Sequence, residues 1–297
     1  MAEVGEAKLH LESLWYNVAY IWIYGSQNYG LAEYSDEYMS DIDFKAVIVP
    51  SLDDLVFNSK PISTTLVYWD GQIDLKDIRT FAETLSKCNP VYMESLYTPY
   101  LICSDDYKFI INEREQLMGE MGSFFMKASY GMIMEKIKAF SHPYPATENR
   151  IDEFGYDPKQ LHHIIRIAII MKEFVNSWTY DMSLTDEERE ELMNIKKGSL
   201  SLEDAIICSE ANRKIAYELK ENYLIEPKFN SKKRIITFSK DLIKKEIIDN
   251  IKGKKKVGKL DSPFNGYCPV CWLWCVMDEM WSECNKCKTR FKPLPDM

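Results

Sequence analysis

No stretch of this 297-residue chain approaches the roughly 20 uncharged apolar residues that a membrane helix needs, which removes the integral helical membrane classes. Residues Met1 to Glu12 lack the basic-then-apolar pattern of a secretory leader, so a cytoplasmic location with no membrane partner is expected. The chain has no internal repeat, and its one low-complexity tract is Lys252 to Lys259. Positive charge is in short supply: a net charge of −9 excludes a surface coated evenly for nucleic acid.

What is present is an ordinary soluble composition, 46% hydrophobic and 28% charged, enough for one large domain or two plus a small appendage. The mean charge hides a segregated pattern. From Lys228 to Leu260 there are twelve Lys/Arg against three acidic residues, a surplus of +9 that leaves −18 for the remainder and suggests a local anionic partner. The eight cysteines are also unevenly spread, with Cys88, Cys103 and Cys208 scattered and five crowded near the end. Such crowding in an intracellular chain reads as metal binding rather than disulfides.

Periodicity predicts an N-terminal helix around Ala7 to Val18, then a buried strand over Ala19 to Tyr24 that ends at Gly25. A second strand is expected over Asp41 to Val49, stopped by Pro50, and a third and fourth within Thr64 to Leu75 around a turn at Asp70-Gly71. Asn89-Pro90 reads as an N-cap with proline at the first helical position, opening a helix through Tyr97. Helices then dominate: Asp106 to Glu120, Phe124 to Phe140, Pro158 to Ser177, Asp186 to Lys196 and Leu202 to Lys220, the last capped within Ser199 to Ser201. His142 to Asp157, rich in Pro, Gly and Tyr, reads as a loop.

The most informative constellation is Tyr24-Gly25-Ser26-Gln27-Asn28-Tyr29-Gly30, then Ser40-Asp41-Ile42-Asp43, then Ile73-Asp74-Leu75. Alternate residues of a strand share a face, so Asp41 and Asp43 point one way while Ile42 packs behind them. Neighbouring carboxylates repel unless a cation lies between them. If Asp74 joins the same face, three carboxylates can share two Mg²⁺ or Mn²⁺ ions, the layout of metal-dependent nucleotidyl transfer. Gly25 lets the backbone approach a phosphate, and Ser26 with the amides after it can donate to phosphate oxygens. Strand parity adds Lys45 beside Asp41 and Asp43, and Lys76 beside Asp74, as phosphate partners or as plain salt-bridge partners.

These residues resemble the DNA polymerase β superfamily of nucleotidyltransferases, whose pattern is Gly-Ser, a spacer, Asp-x-Asp and a single later carboxylate. The stretch Gly71 to Leu96, with Asn89-Pro90 and Glu94, and the run Gly155-Tyr156-Asp157-Pro158-Lys159 continuing to His162, His163 and Arg166, look like a bacterial and phage branch of predicted nucleotidyltransferases. The resemblance covers about residues 19 to 225. It implies Asp41, Asp43 and Asp74 as the catalytic metal ligands, and a Lys, a His and an Arg recurring on a helix, here Lys159, His163 and Arg166, on a face for the triphosphate or the acceptor, with a solvated helix stripe as the plainer reading. Lys159, His163 and Arg166 fall at i, i+4 and i+7 and share one helix face, while His162 lies off it. One departure is the spacer: fourteen acidic and tyrosine-rich residues separate Ser26 from Asp41, long for the superfamily and suited to a loop over the site.

Cys268-Pro-Val-Cys271, twelve residues, then Cys284-Asn-Lys-Cys287 is the spacing at which two turns supply four thiolates to one tetrahedral Zn²⁺. Four ligands leave no open position, so the site reads as structural, and the metal supplies folding free energy that so short a module cannot bury. Cys275 is surplus. With Lys254 to Lys256, Lys286, Lys288, Arg290 and Lys292 nearby, the module either binds nucleic acid or docks on the protein through Trp272, Trp274 and Trp281.

The expected fold is α+β, with a small mixed-sheet nucleotidyltransferase core at 1–105, a helical region at 106–225, a basic connecting segment at 226–260 and a four-cysteine zinc-ribbon-like module at 261–297. The expected activity moves a nucleoside monophosphate from a nucleoside triphosphate such as ATP onto an acceptor hydroxyl, with RNA, and tRNA in particular, the leading acceptor and a protein or small molecule the alternative. The rival is a non-catalytic nucleic-acid-binding protein on a disused transferase fold, with the ribbon as its working part.

Overall fold

The computed structural model describes residues 2–33, 40–57, 59–69, 71–145, 147–223 and 229–252, with the short pieces 282–283 and 290–291. Helix α1 (Ala2–Ser13) leads into strand β1 (Asn17–Ile23), and β2 (Phe44–Val49) follows after the turn. Past α2 (Leu52–Val56) come the hairpin strands β3 (Ser63–Tyr68) and β4 (Gly71–Asp77), then α3 (Ile78–Leu85), α4 (Pro90–Met93) and the short β5 (Leu101–Cys103). The helical half comprises α5 (Lys108–Asn112), α6 (Arg114–Phe140), α7 (Glu148–Phe154), α8 (Pro158–Ser177), α9 (Asp186–Lys196), α10 (Leu202–Asn222) and α11 (Phe229–Ile251).

The five strands form one mixed sheet in the order β3-β4-β2-β1-β5, with β2 and β4 parallel and the other neighbours antiparallel. The interior strand β1 is buried from Val18 to Ile23, as its unbroken apolar run demands of a strand covered on both faces. On one face Ile21, Ile23, Phe44, Ala46, Ile73 and Leu75 pack against Val4, Ala7 and Leu11 of α1. On the other, Tyr20, Trp22 and Val47 join a larger core that runs through α3, α6 and α8 to Ile235 and Leu242 of α11. The two halves of the chain thus share one apolar cluster. Among the described residues, no helix is long and apolar enough to cross a membrane.

Several expected elements stand where periodicity put them. Asn89 caps α4 by accepting from the Val91 amide, with Pro90 at the first helical position. Helices α8 and α9 have the expected bounds, and the Ser201 side chain caps α10 by accepting from Asp204.

Other expectations are corrected. The first helix is Ala2–Ser13, not Ala7 to Val18, because Asn17 and Val18 already belong to the β1 ladder. Strand β2 begins at Phe44 rather than Asp41, since pairing to β1 and β4 starts there. Residues Asp106 to Phe140 form α5 and one long α6, because Gly122 is packed against Phe174 and Tyr223 rather than breaking the helix. The interval 142–157 contains α7, and much of the basic connector is α11, whose apolar side docks on the core. Strand β5, α2 and α3 carried no recognised signal. The cysteines of the zinc motif lie outside the described residues, as does Asp70 of the hairpin turn. The residues flanking Cys284 and Cys287 do pair: β6 (Ser282–Glu283) runs antiparallel to β7 (Arg290–Phe291).

Candidate functional site

The carboxylates gather where β1 ends and β2 and β4 begin. Asp41 and Asp43 sit on the lead-in to β2, outside the ladder, and two backbone devices hold that lead-in against the sheet. The Tyr24 amide donates to the Asp43 carbonyl at 3.1 Å, and Gly71 lies so close to Ile42 that any Cβ there would collide with the Ile42 carbonyl oxygen. Ile42 itself packs into the core on the α1 face.

Asp41 and Asp74 both act on Asp43, and all three carboxylates act on the Tyr24 phenol. Burial raises the Tyr24 pKa, and the charges of Asp43, Asp74 and Asp41 raise it further. Asp43 is raised above the ordinary carboxylate range by burial and then by Asp41, partly offset by the Gln72 amide and the Lys159 charge. Asp74 differs. Burial pushes it up, but hydrogen bonds from Lys45 Nζ at 2.6 Å and Thr65 Oγ1 at 2.6 Å, with the charges of Lys45 and Lys76, hold it below the usual range.

The register explains that difference. Lys45 and Thr65 are the cross-strand partners of Asp74 on its two sides, so both reach it without bending either strand. Lys45 is buried, with Nζ 3.9 Å from the centre of the Tyr24 ring. Of its two expected roles, phosphate partner or salt-bridge partner, Lys45 takes the second in this arrangement. Lys76 points the same way, with Nζ 4.9 Å from the Tyr92 ring, and burial lowers its pKa.

The turn after β1 is a 3-10 turn over Gly25–Tyr29. Gly25 has φ +84°, a conformation that disfavours any side chain, and open space lies where its Cβ would be. Its amide does not face outward for a phosphate: it donates to Glu94 Oε1 at 3.1 Å. The same carboxylate accepts from Asn28 Nδ2 and, through Oε2, from the Tyr29 hydroxyl at 3.0 Å. Sequence reasoning noticed Glu94 only as part of a resemblance; its buried, multiply bonded position is the missed feature, and Asn89-Pro90 four residues ahead is the signal that fixes where it falls.

Helix α8 supplies the opposite wall. Gly155 (φ +79°) ends α7, and Asp157, fully buried, caps α8 by accepting from the Lys159 amide at 3.0 Å while Arg150 grips it at 2.8 and 3.1 Å. Lys159 in the first turn is exposed and acts electrostatically on Asp43. His163 is half-buried, and burial, then the Arg166 charge, lowers its pKa well below the ordinary value. His162 is 3% exposed with neither ring nitrogen bonded, and burial takes its pKa down to about 2. Arg166 is buried with its guanidinium carbon 4.0 Å from the Tyr29 ring centre, facing Glu94. The Lys159-His163-Arg166 face therefore splits: its first member reaches the acidic cleft and its last goes under the turn.

Lys196, at the end of α9, was not anticipated. It is half-buried, feels the like charges of Lys159 and Arg166 and the opposite charges of Glu33 and Asp41, and burial lowers its pKa. Its neighbour Lys197 pairs with Glu33 at 2.9 Å, which ties α9 to the segment leading towards Asp41. A separate groove of about 510 Å³ lies between α9 and α10, rimmed by Glu187, Glu190 and Asp204, away from the sheet carboxylates.

Asp41 and Asp43 close no ion pair among the described residues, and their hard oxygens and mutual repulsion suit a divalent cation. No three His, Cys, Asp or Glu side chains among the described residues stand at ligand spacing as arranged, and both Asp74 oxygens accept hydrogen bonds, from Lys45 and Thr65. Each of those oxygens keeps a second lone pair, so the donor set still fits Mg²⁺ or Mn²⁺. No protein-family model matches the chain, and no curated protein matches it.

Proposed function

We propose that the protein is a nucleotidyltransferase that moves a nucleoside monophosphate from a nucleoside triphosphate onto an acceptor hydroxyl, releasing pyrophosphate. The observation that carries the reading is the gathering of Asp41, Asp43 and Asp74 around Tyr24, beside the Gly25 turn and opposite the cations of α8 and α9. In the reaction the acceptor oxygen bonds to the α-phosphorus as the bond to the bridging oxygen of the β-phosphate breaks. Bound divalent ions would supply Lewis-acid activation and charge neutralisation, with Asp41, Asp43 and Asp74 as their ligands.

The chain's own groups divide the remaining work. Lys159 and Lys196, set across the cleft from Asp43 and Asp41, attract the polyphosphate that the acidic wall alone would repel. Of Asp43 and Asp74, Asp43, with its raised pKa, is the stronger base, and Asp74, held low by Lys45 and Thr65, is the weaker. The basic α11 and its following lysines suit RNA, tRNA among the candidates, as the acceptor. Cys268, Cys271, Cys284 and Cys287 are proposed to hold one structural Zn²⁺. The pairing of β6 with β7 supports this, since it brings together the chain on either side of Cys284 and Cys287.

The test is incubation of the full chain with each α-labelled triphosphate, Mg²⁺ or Mn²⁺, and total RNA. Label is expected in RNA with the unaltered protein and not with Asp43→Ala. Transfer that survives Asp43→Ala, or RNA binding with no transfer under any triphosphate, would defeat the reading; the second result would favour a nucleic-acid-binding protein on a disused fold.

A further inference from the structure

The Asn89-to-Glu94 segment was singled out in sequence; its Tyr92 ring lies beside Lys76, and the role of its last residue, Glu94, is a separate one. Its end, Glu94, is 3% exposed, and a carboxylate so buried is stable only if its lone pairs and charge are both answered. Three donors from a single turn answer the lone pairs: the Gly25 amide, the Asn28 side-chain amide and the Tyr29 hydroxyl. Burial raises the Glu94 pKa, and the charge of Arg166 on α8 offsets part of that rise; Arg166 is linked to Glu94 geometrically through Tyr29, whose ring it lies over and whose hydroxyl donates to Glu94.

The turn also carries backbone bonds, from the Gly30 amide to Gln27 and from the Leu31 amide to Ser26 at 2.9 Å, but the Gly25 amide itself goes to Glu94. Gly25 can occupy either side of φ space, and its Cβ position faces open space, so local sterics do not choose its conformation. Asn28 extends the network by donating to the Ile23 carbonyl at 2.9 Å and accepting from Thr98 Oγ1 at 2.7 Å, which anchors the turn to the end of β1. From Tyr24 the backbone passes directly to the Asp43 carbonyl. Sheet edge, turn, Glu94, Arg166 and α8 therefore stand in series.

We propose that Glu94 and Arg166 form one positioning unit that sets the Gly25–Tyr29 turn relative to the carboxylates, with Arg166 acting on the turn rather than on the nucleotide. The proposal rests on the nucleotidyl-transfer reading of that turn. Access argues the same way: Arg166 is buried and its planar face is occupied by Tyr29, whereas Lys159 on the same helix is exposed and acts on Asp43. Losing Arg166 leaves Glu94 as an uncompensated buried charge, which must take up a proton or turn away. Either response loosens its hold on the Gly25 amide, although Arg166 itself makes no bond to Gly25.

The experiment compares Arg166→Met, Glu94→Gln, their double variant and the milder Arg166→Lys in the full chain, with two readouts. Amide hydrogen exchange at Gly25 to Asn28 needs no catalysis; kcat and KM are then measured for the triphosphate. Arg166→Met and Glu94→Gln are each expected to lower Gly25 protection by roughly tenfold or more, with the double variant no worse than the poorer single. The expected kinetic signature is kcat down by about 10 to 100-fold with KM within about threefold, because a displaced turn misaligns the reacting groups without removing a phosphate ligand. Arg166→Lys, which keeps the charge, is expected to retain most of the protection, and this distinguishes the unit from a variant that merely misfolds. Unchanged Gly25 protection in Arg166→Met, or a rise in its KM of about tenfold with kcat intact, would overturn the proposal and return Arg166 to the nucleotide. If the unaltered protein transfers no nucleotide but Arg166→Met still exposes Gly25, the positioning unit stands and the transferase reading falls.

Discussion

Asp74 and Asp43 lie at the same end of the same sheet, yet their surroundings push their carboxyl pKa values in opposite directions. Asp74 belongs to a strand, and the ladder places Lys45 and Thr65 on either side of it, so its charge is answered by the fold. Asp41 and Asp43 ride on a lead-in with no ladder partners, kept in place by Gly71 and one backbone hydrogen bond, and their charges are left to repel. The first arrangement stabilises the protein; the second stores an attraction for a cation at some cost to stability. A carboxylate is made structural or reactive by which backbone carries it.

The sharpest way to break that comparison is Asp43→Asn, which is expected to lower transfer by roughly a thousandfold while leaving the melting temperature unchanged or slightly higher. A clear drop in melting temperature would show that Asp43 is structural after all. Gly71→Ala forces a side chain into the Ile42 backbone and is expected to cost about 2 to 3 kcal/mol in urea unfolding, with loss of activity through displacement of Asp41 and Asp43. Lys45→Met tests the other member: with Asp74 partly exposed, a loss of about 2 kcal/mol is expected, together with a rise of the Asp74 pKa visible by carboxyl NMR.

A smaller effect comes from the wall facing both. His162 is buried neutral with its folded pKa below the unfolded value near 6.5, so its contribution to stability is full above that pH and is lost as pH falls towards about 2. The expected slope below pH 6.5 is at most about 1.4 kcal/mol per pH unit from this group, and His162→Met should flatten it in denaturant melts at pH 7, 6 and 5. An unaltered slope would assign the acid sensitivity to other groups.

Much of the architecture was legible from local pattern. The Asn89-Pro90 cap and the bounds of α8 and α9 follow from capping residues and 3.6-residue periodicity, which are short-range properties of the chain. The elements that were missed have short or masked signals: β5 has three residues, and the apolar side of α11 is diluted by its lysines. In the site, the acidic positions were legible because Gly25-Ser26 and Asp41-x-Asp43 are local motifs. Lys196, Glu94 and the split of the α8 face were not, since each is defined by a neighbour distant in sequence.

The amino-acid sequence by itself determined which residue types are available and on which side of each helix or strand they fall, because backbone sterics and side-chain periodicity act within a few residues. Tertiary structure alone decided which charges cancel. Lys45 meets Asp74 across 29 positions because β2 and β4 lie side by side, and Arg166 acts on Glu94 because α8 brings it over the Tyr29 ring, whose hydroxyl donates to Glu94. Coulomb forces and desolvation depend on distance in space and on burial, and neither quantity exists until the chain has folded.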